Sequence, residues 1–380
     1  LKRLPYIKAQ FLLDPDVHFL NHGSFGACPR PVFDVYQNWQ RELERQPVEF
    51  MGRRYHGLMN DSREHLAQYI NAAPEDLIYV PNATYGMNIV ARSLDLQPGD
   101  EILSTDHEYG AINHLWTFIC EKTGAKLISQ PITLPIVSDE QVLEQLWAGV
   151  SPRTKVISIS HITSPTAVTF PVEAICKRAR DAGILIVVDG AHAPGQLDLD
   201  MEAIGADFYT GNCHKWMCAP KGAGFLWVRR DHHAMIDPLV ISWGWQPDST
   251  LVSHNQWQGT QDIAAYLSVP AAIEFMQQHD WHEVRQHCHQ LALETRQRII
   301  ELSGKPTLIH KDGFVQMFAA ELPQTDAESL KTTLLNDYHV EVPFLTWGSR
   351  TMVRVSVQAY NIQTDLDALV QGLRSVYTGQ

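Results

Sequence analysis

A chain of 380 residues is too long for one compact core and fits two packed domains. Its 44% hydrophobic and 19% charged residues are ordinary for a globular protein, and a net charge of −13 argues against nucleic acid or an anionic membrane as partner. Six scattered cysteines form no CxxC pair, the opening LKRLPYIKAQFLL has no apolar core of signal-peptide length, and no stretch approaches the ~18 apolar residues of a membrane span; a cytoplasmic protein with reduced thiols is expected.

Short runs rich in Ile, Val and Leu recur in chain order: DLIYVP (76–81), EILST (101–105), KLISQPI (126–132), KVISISHI (155–162), GILIVVDGA (183–191), DFYTG (207–211) and GFLWVR (224–229). They alternate little, as strands buried on both faces should. Helical patterns lie between them at 84–94, 110–123, 139–149 and 171–182, the last starting at a proline and ending at Gly183. Strand and helix in alternation imply an α/β fold with a mainly parallel sheet covered on both faces. After about residue 262 the character changes to one long helical pattern over 263–302, then FVQMFAAEL, HVEVPFL and TMVRVSV as short strands, and a closing helix after Asn361. The expected division is a large domain over 17–262 and a smaller α+β domain over 263–380 together with 1–16.

Three segments carry chemistry. Lys215, in ADFYTGNCHKWMCAPKG, follows an expected buried strand, where open α/β sheets bind ligands; burial would lower its pKa and free the amine to form an imine. A solvated lysine in a turn is the alternative. Asp189 ends the apolar run of GILIVVDGAHAPG, so its carboxylate should be semi-buried and need a partner, for which a pyridinium N–H is suited. A helix cap or an ion pair would also serve. His192 is three residues on. Asn82-Ala83-Thr84-Tyr85-Gly86 sits between a strand and a helix, where free N–H groups suit a phosphate or an ordinary cap.

Strand–NAT–helix, strand–Asp and strand–His-Lys in this order resemble the fold-type I pyridoxal-phosphate (PLP) enzymes, and within them the class V aminotransferase family. LNHGSFGACPRPV (20–32), TDHEYGA and SHITSPTA look most like its isopenicillin N epimerase-like branch. The resemblance implies PLP held on Lys215 as a Schiff base, with the freed amine moving the α-proton. It implies Asp189 at the ring nitrogen, His192 and Thr163 near the phenolic oxygen, and His107 stacked on the ring, with Tyr109 competing for that place. Ala83 and Thr84 would bind phosphate, helped by Asn212 and His214. Thr260, in WQGTQD, resembles the segment that reaches the phosphate from a partner subunit, implying a homodimer. Arg354 would clamp the substrate α-carboxylate, a bidentate contact that suits a planar guanidinium, and Asn21 joins it as a substrate-binding candidate.

The resemblance leaves the reaction open between epimerisation at Cα and C–S lysis of a cysteine derivative, with transamination or a non-catalytic binding role behind. It argues against a persulfide mechanism, because residues 336–353, where a desulfurase places its cysteine, contain none. Other features read more plainly. The histidines between His279 and His289 fit a solvated helix face better than a metal site, so no metal is expected. Cys213 and Cys218 read as small buried groups. Arg53 and Arg54 read as surface arginines, with a contact to an anionic substrate tail as the alternative, and Trp243 and Trp245 as either a loop near the cleft or dimer interface, or core.

Overall fold

The computed structural model describes residues 7–309, 313–324 and 326–378. All seven runs expected as strands join one sheet: β1 (Leu77–Val80), β2 (Glu101–Thr105), β3 (Lys126–Gln130), β4 (Thr154–Ser160), β5 (Leu185–Gly190), β6 (Phe208–Asn212) and β7 (Gly224–Val228). Their spatial order is β1-β7-β6-β5-β4-β2-β3, and β7 alone runs against the rest. Successive residues of a strand point to opposite faces. Ile186 and Val188 therefore enter one hydrophobic core and Val187 the other, as Ile157 and Ile159 do against Val156. Burial on both faces explains why six of these runs lack polar alternation, whereas the edge strand β3 is half-buried to exposed.

Helices fill the crossovers: α3 (Ala83–Ser93), α4 (Gly110–Thr123), α5 (Asp139–Trp147) and α6 (Val172–Asp181). In α6 the buried Val172, Ile175, Cys176 and Ala179 form one stripe at helical spacing. Two earlier helices, α1 (Arg30–Arg45) and α2 (Tyr55–Tyr69), precede the sheet.

The long pattern after residue 262 folds as three helices. Ala264–Leu267 stops before Pro270, which opens α7 (Val269–Gln278), and Asp280 at φ 50° turns the chain into α8 (Trp281–Ser303). The proline lacks an N–H and the left-handed residue cannot continue a helix. Ala264–Leu267 and α7 pack on α1 and α2, whereas α8 packs on a second sheet. That sheet holds β8 (Met317–Leu322), β9 (Phe344–Trp347) and β10 (Arg350–Ser356) in antiparallel order β9-β10-β8. α9 (Ala327–Tyr338) packs on β9 of this sheet and on α10 (Gln363–Thr378). The run HVEVPFL divides at Pro343: Val340–Glu341 pairs instead with His18–Phe19, tying the N-terminal segment to the smaller unit. Lys8 and His18 both reach Asp365 at the start of α10 and strengthen that tie.

Because β1, β2, β4, β5 and β6 run in one direction, their carboxyl ends share one edge of the sheet. The segment around residues 21–26 and strand β10 close over that edge. The cleft between them is where a ligand of an open α/β sheet binds.

Candidate active site

A cavity of about 420 Å³ opens at this edge, lined among others by Ser24, Thr84, Tyr109, Asp189, Lys215 and Arg354. Lys215 lies in the loop 213–223 that reverses the chain from β6 into β7. Its Nζ is 3.4 Å from His192 Nε2. Burial, then the positive charge of Arg354, lowers its pKa from 10.5 to about 8, and Asp189 only partly opposes them. The amine is thus much closer to its neutral, nucleophilic form than a solvated lysine.

Asp189, at the end of β5, is buried, and its Oδ1 accepts the N–H of Ala191 at 2.9 Å. Burial raises its pKa, while that hydrogen bond and Lys215 pull it down. It stands in register with Ser160 of β4, whose hydroxyl donates to Glu108 at 2.5 Å. Glu108 also accepts from Thr105 and is pushed up to about 7, chiefly by burial. Glu108 was not foreseen from the sequence, where it reads as one more polar residue of a turn.

Arg354 projects from β10. Its Nη1 donates to the carbonyl and hydroxyl of Ser164, at 2.8 and 3.0 Å, and its Nη2 to Ser24 Oγ at 3.2 Å. Its Nε has no partner, and no carboxylate of the described residues lies within ion-pair distance. Burial lowers its pKa to about 10. A guanidinium only 5% exposed with no counter-ion is a costly group, and it fits an anionic ligand entering the cavity.

At the start of α3, Asn82 accepts the N–H of Tyr85 and Asn212 accepts that of Ala83, at 2.9 and 2.8 Å. The N–H of Thr84, whose residue also lines the cavity, has no partner among the described residues. His214, nearby, donates from Nδ1 to the carbonyl of Ala223, and burial lowers its pKa to about 4. Asn212 thus caps the helix rather than facing the cavity unengaged.

Three expectations need correction. His107 does not line the cavity: the turn after β2 points it inward, where Nε2 bonds the carbonyl of Ile132 and Nδ1 the hydroxyl of Thr166, both at 2.7 Å. Tyr109, two residues on, lines the cavity instead. Thr163 bonds Thr166 and the N–H of Val168, extending the chain of hydrogen bonds that holds His107. Asn21 does not reach the cavity either. It donates to Glu341 and accepts from Ser24, so it places the serine that holds Arg354. Thr260, expected at a partner's site and not at this one, is exposed and outside the cavity.

The segment LNHGSFG has a structural reason to sit here. Gly26 adopts φ 71°, and a Cβ there would stand 1.9 Å from the carbonyl oxygen of His214. His22 donates from Nε2 to the carbonyl of Lys215 at 2.9 Å, and burial keeps that ring neutral with a pKa of about 3. Gly26→Ala is therefore expected to lower stability by about 2 kcal/mol or more and to displace the Lys215 loop. A thermal midpoint and cofactor absorbance matching the unsubstituted protein would contradict this.

The remaining features read plainly. Among the described residues no group of three or more His, Cys, Asp or Glu is placed to hold a metal. Cys213 and Cys218 are buried, with thiol pKa values raised by burial. Arg53 and Arg54 pair with Glu49 and Glu42 at the surface. Trp243 and Trp245 are 84% and 52% exposed, which rules out the core alternative.

The observed donors match what PLP requires: a buried carboxylate with no cation in ion-pair contact, an amine of lowered pKa, and a helix N-terminus presenting an unengaged N–H. Residues 28–369 match the family model described as Aminotransferase class-V. The chain is 35% identical to isopenicillin N epimerase of Amycolatopsis lactamdurans, over 97% of both chains. It is 28% identical to a probable chloroplastic L-cysteine desulfhydrase of Arabidopsis thaliana, over 94% of this chain and 82% of that protein. The solved complex of the cystine C–S lyase C-DES with cysteine persulfide shares the fold at a TM-score of 0.84 and 20% identity, covering 95% of this chain and 98% of that one. The chain belongs to the class V aminotransferase family and is a PLP-dependent enzyme of that family.

Proposed function

We propose that the protein acts at Cα of an amino acid, exchanging the α-proton as an epimerase does. The observation that carries this reading is the buried, uncompensated Arg354 sharing one cavity with a lysine of lowered pKa. Bound PLP supplies an electron sink for the charge left when the α-proton departs. Lys215 holds the cofactor and, once released, takes and returns that proton. Asp189 would keep a proton on the ring nitrogen, and Tyr109, which lines the cavity where His107 does not, would pack against the ring. Thr84 and His214 would hold the phosphate at the positive end of α3, which Asn212 shapes by accepting the N–H of Ala83. Arg354 fixes the substrate carboxylate, and Ser24 and Ser164 hold the guanidinium in place.

Among the described residues Lys215, Asp189 and Arg354 are the Lys, Asp, Glu and Arg side chains lining the cavity, and each has a role in this scheme. Phe25, Ile162, Pro343 and Leu345 form apolar wall beyond them, which supports a substrate whose side chain is uncharged next to Cβ. The identity with the Amycolatopsis epimerase favours proton exchange; the likeness to the Arabidopsis desulfhydrase supports C–S lysis as the second reading. Persulfide transfer finds no nucleophile, since no cysteine lines the cavity. Exposed Thr260 supports a homodimer in which each subunit reaches its partner's phosphate site. Six unpaired cysteines support a cytoplasmic setting.

The deciding measurement is incubation of the PLP-loaded protein with neutral amino acids and S-alkyl cysteines in D2O. Deuterium at Cα with loss of optical purity is the expected result. Pyruvate and ammonia without racemisation would establish the lyase reading, and neither product from any substrate would overturn both.

A further inference from the structure

Trp216 directly follows Lys215, is fully buried, and donates from its indole N–H to His192 Nδ1 at 3.2 Å. An indole nitrogen can only donate. His192 Nδ1 must therefore be an acceptor, and the neutral ring carries its proton on Nε2, the atom 3.4 Å from Lys215 Nζ. Trp216 is closely packed at both its backbone and its ring. A Cβ on Gly195 would stand 2.3 Å from the Trp216 carbonyl carbon, and the His22 ring packs 5.0 Å away, centroid to centroid. The backbone of His192 is held in turn by Gln196, whose Nε2 donates to the His192 carbonyl at 2.7 Å.

We propose that Trp216 is a positioning residue that locks His192 in its Nε2–H tautomer and so presents a fixed hydrogen-bond donor to the cavity beside Lys215. The charged and titratable groups around that ring are Lys215 on the loop after β6, Asp189 on β5, Arg354 on β10 and His22 on the N-terminal segment. Burial, followed by the charges of Lys215 and Arg354 and by His22, holds the ring neutral. A neutral ring that shows only N–H to the amine can donate to its lone pair but cannot accept from an ammonium. The lock therefore favours the unprotonated nitrogen at Lys215. Without it, the ring can carry its proton on Nδ1 and accept at Nε2, which favours the protonated nitrogen.

The effect on the bound cofactor rests on the PLP reading above; the tautomer itself does not. In the holoenzyme, Trp216→Phe keeps an aromatic ring and removes the N–H. The pH midpoint of the cofactor's visible band should rise by about one unit, a tenfold change in proton affinity. In a His192→Asn background the same substitution should leave the midpoint where that background sets it, since interacting residues couple and independent ones add. An unchanged midpoint in the single variant, or an equal shift in both backgrounds, overturns the proposal. A second measurement covers a Trp216→Phe protein that fails to fold. Side-chain 15N spectra of histidine-labelled wild type, with the His192 signal assigned by its loss in His192→Asn, should show the proton on Nε2; a proton on Nδ1 sinks the idea. A wild type with no visible band after PLP loading refutes the cofactor reading instead, and the 15N spectrum still decides the tautomer.

Discussion

Replacing Lys215 with alanine is expected to abolish the visible band of bound cofactor and to lower turnover by at least ~10³-fold. In the proposed reaction the lysine supplies two functions at once, covalent attachment and proton transfer, and among the described residues no other lysine lines the cavity. PLP should still bind, because Asp189 and the start of α3 are untouched, but it should leave on dialysis. The fold should survive, since the substitution removes a buried amine whose charge is already disfavoured there. Absorbance before and after dialysis, with turnover on the best neutral amino acid, gives the reading. A variant that keeps both the band and the turnover would show that a different amine carries the chemistry.

Arg354 gives the second large effect, and its two consequences run in opposite directions. Arg354→Ala removes the cation that meets the substrate carboxylate. At about 1.5–3 kcal/mol for hydrogen bonds to a charged group, KM should rise roughly 10- to 150-fold. The cofactor band should stay, because Arg354 contacts Ser24 and Ser164 and not the residues that hold the ring or phosphate. Stability should move the other way. The guanidinium is buried without a counter-ion, so Arg354→Met, which keeps much of the volume, is expected to hold or raise the thermal midpoint. Substrate titration of the cofactor spectrum, alongside thermal unfolding, separates the two effects. A KM that does not move would remove Arg354 from substrate binding, and a falling midpoint for Arg354→Met would mean that its hydrogen bonds outweigh its desolvation.

The sequence determined the sheet and the main chemical groups. Six of the seven apolar runs became strands buried along nearly their whole length, where charged residues are scarce until the strand ends; the edge strand β3 is instead half-buried to exposed. For the same reason Asp189 and the loop of Lys215 were legible: polar groups that abruptly follow such runs must lie at the sheet's edge. Periodicity also located the smaller unit's helices, but not their breaks, which depend on Pro270 and on the left-handed Asp280.

Tertiary structure alone decided which neighbours face the cavity. His107 and Tyr109 are two residues apart in one turn, and nothing local says which points outward. The hydroxyl of Thr166 and the carbonyl of Ile132, from distant parts of the chain, draw the histidine inward and leave the tyrosine on the wall. Asn21, Ser24 and Ser164 became the support of Arg354, and Trp216 the partner of His192, through contacts between segments far apart in sequence. Spacing along a chain fixes residue types and elements. The direction of a side chain in a turn is set by the hydrogen bonds available in the folded protein, and those exist only after the strands have packed.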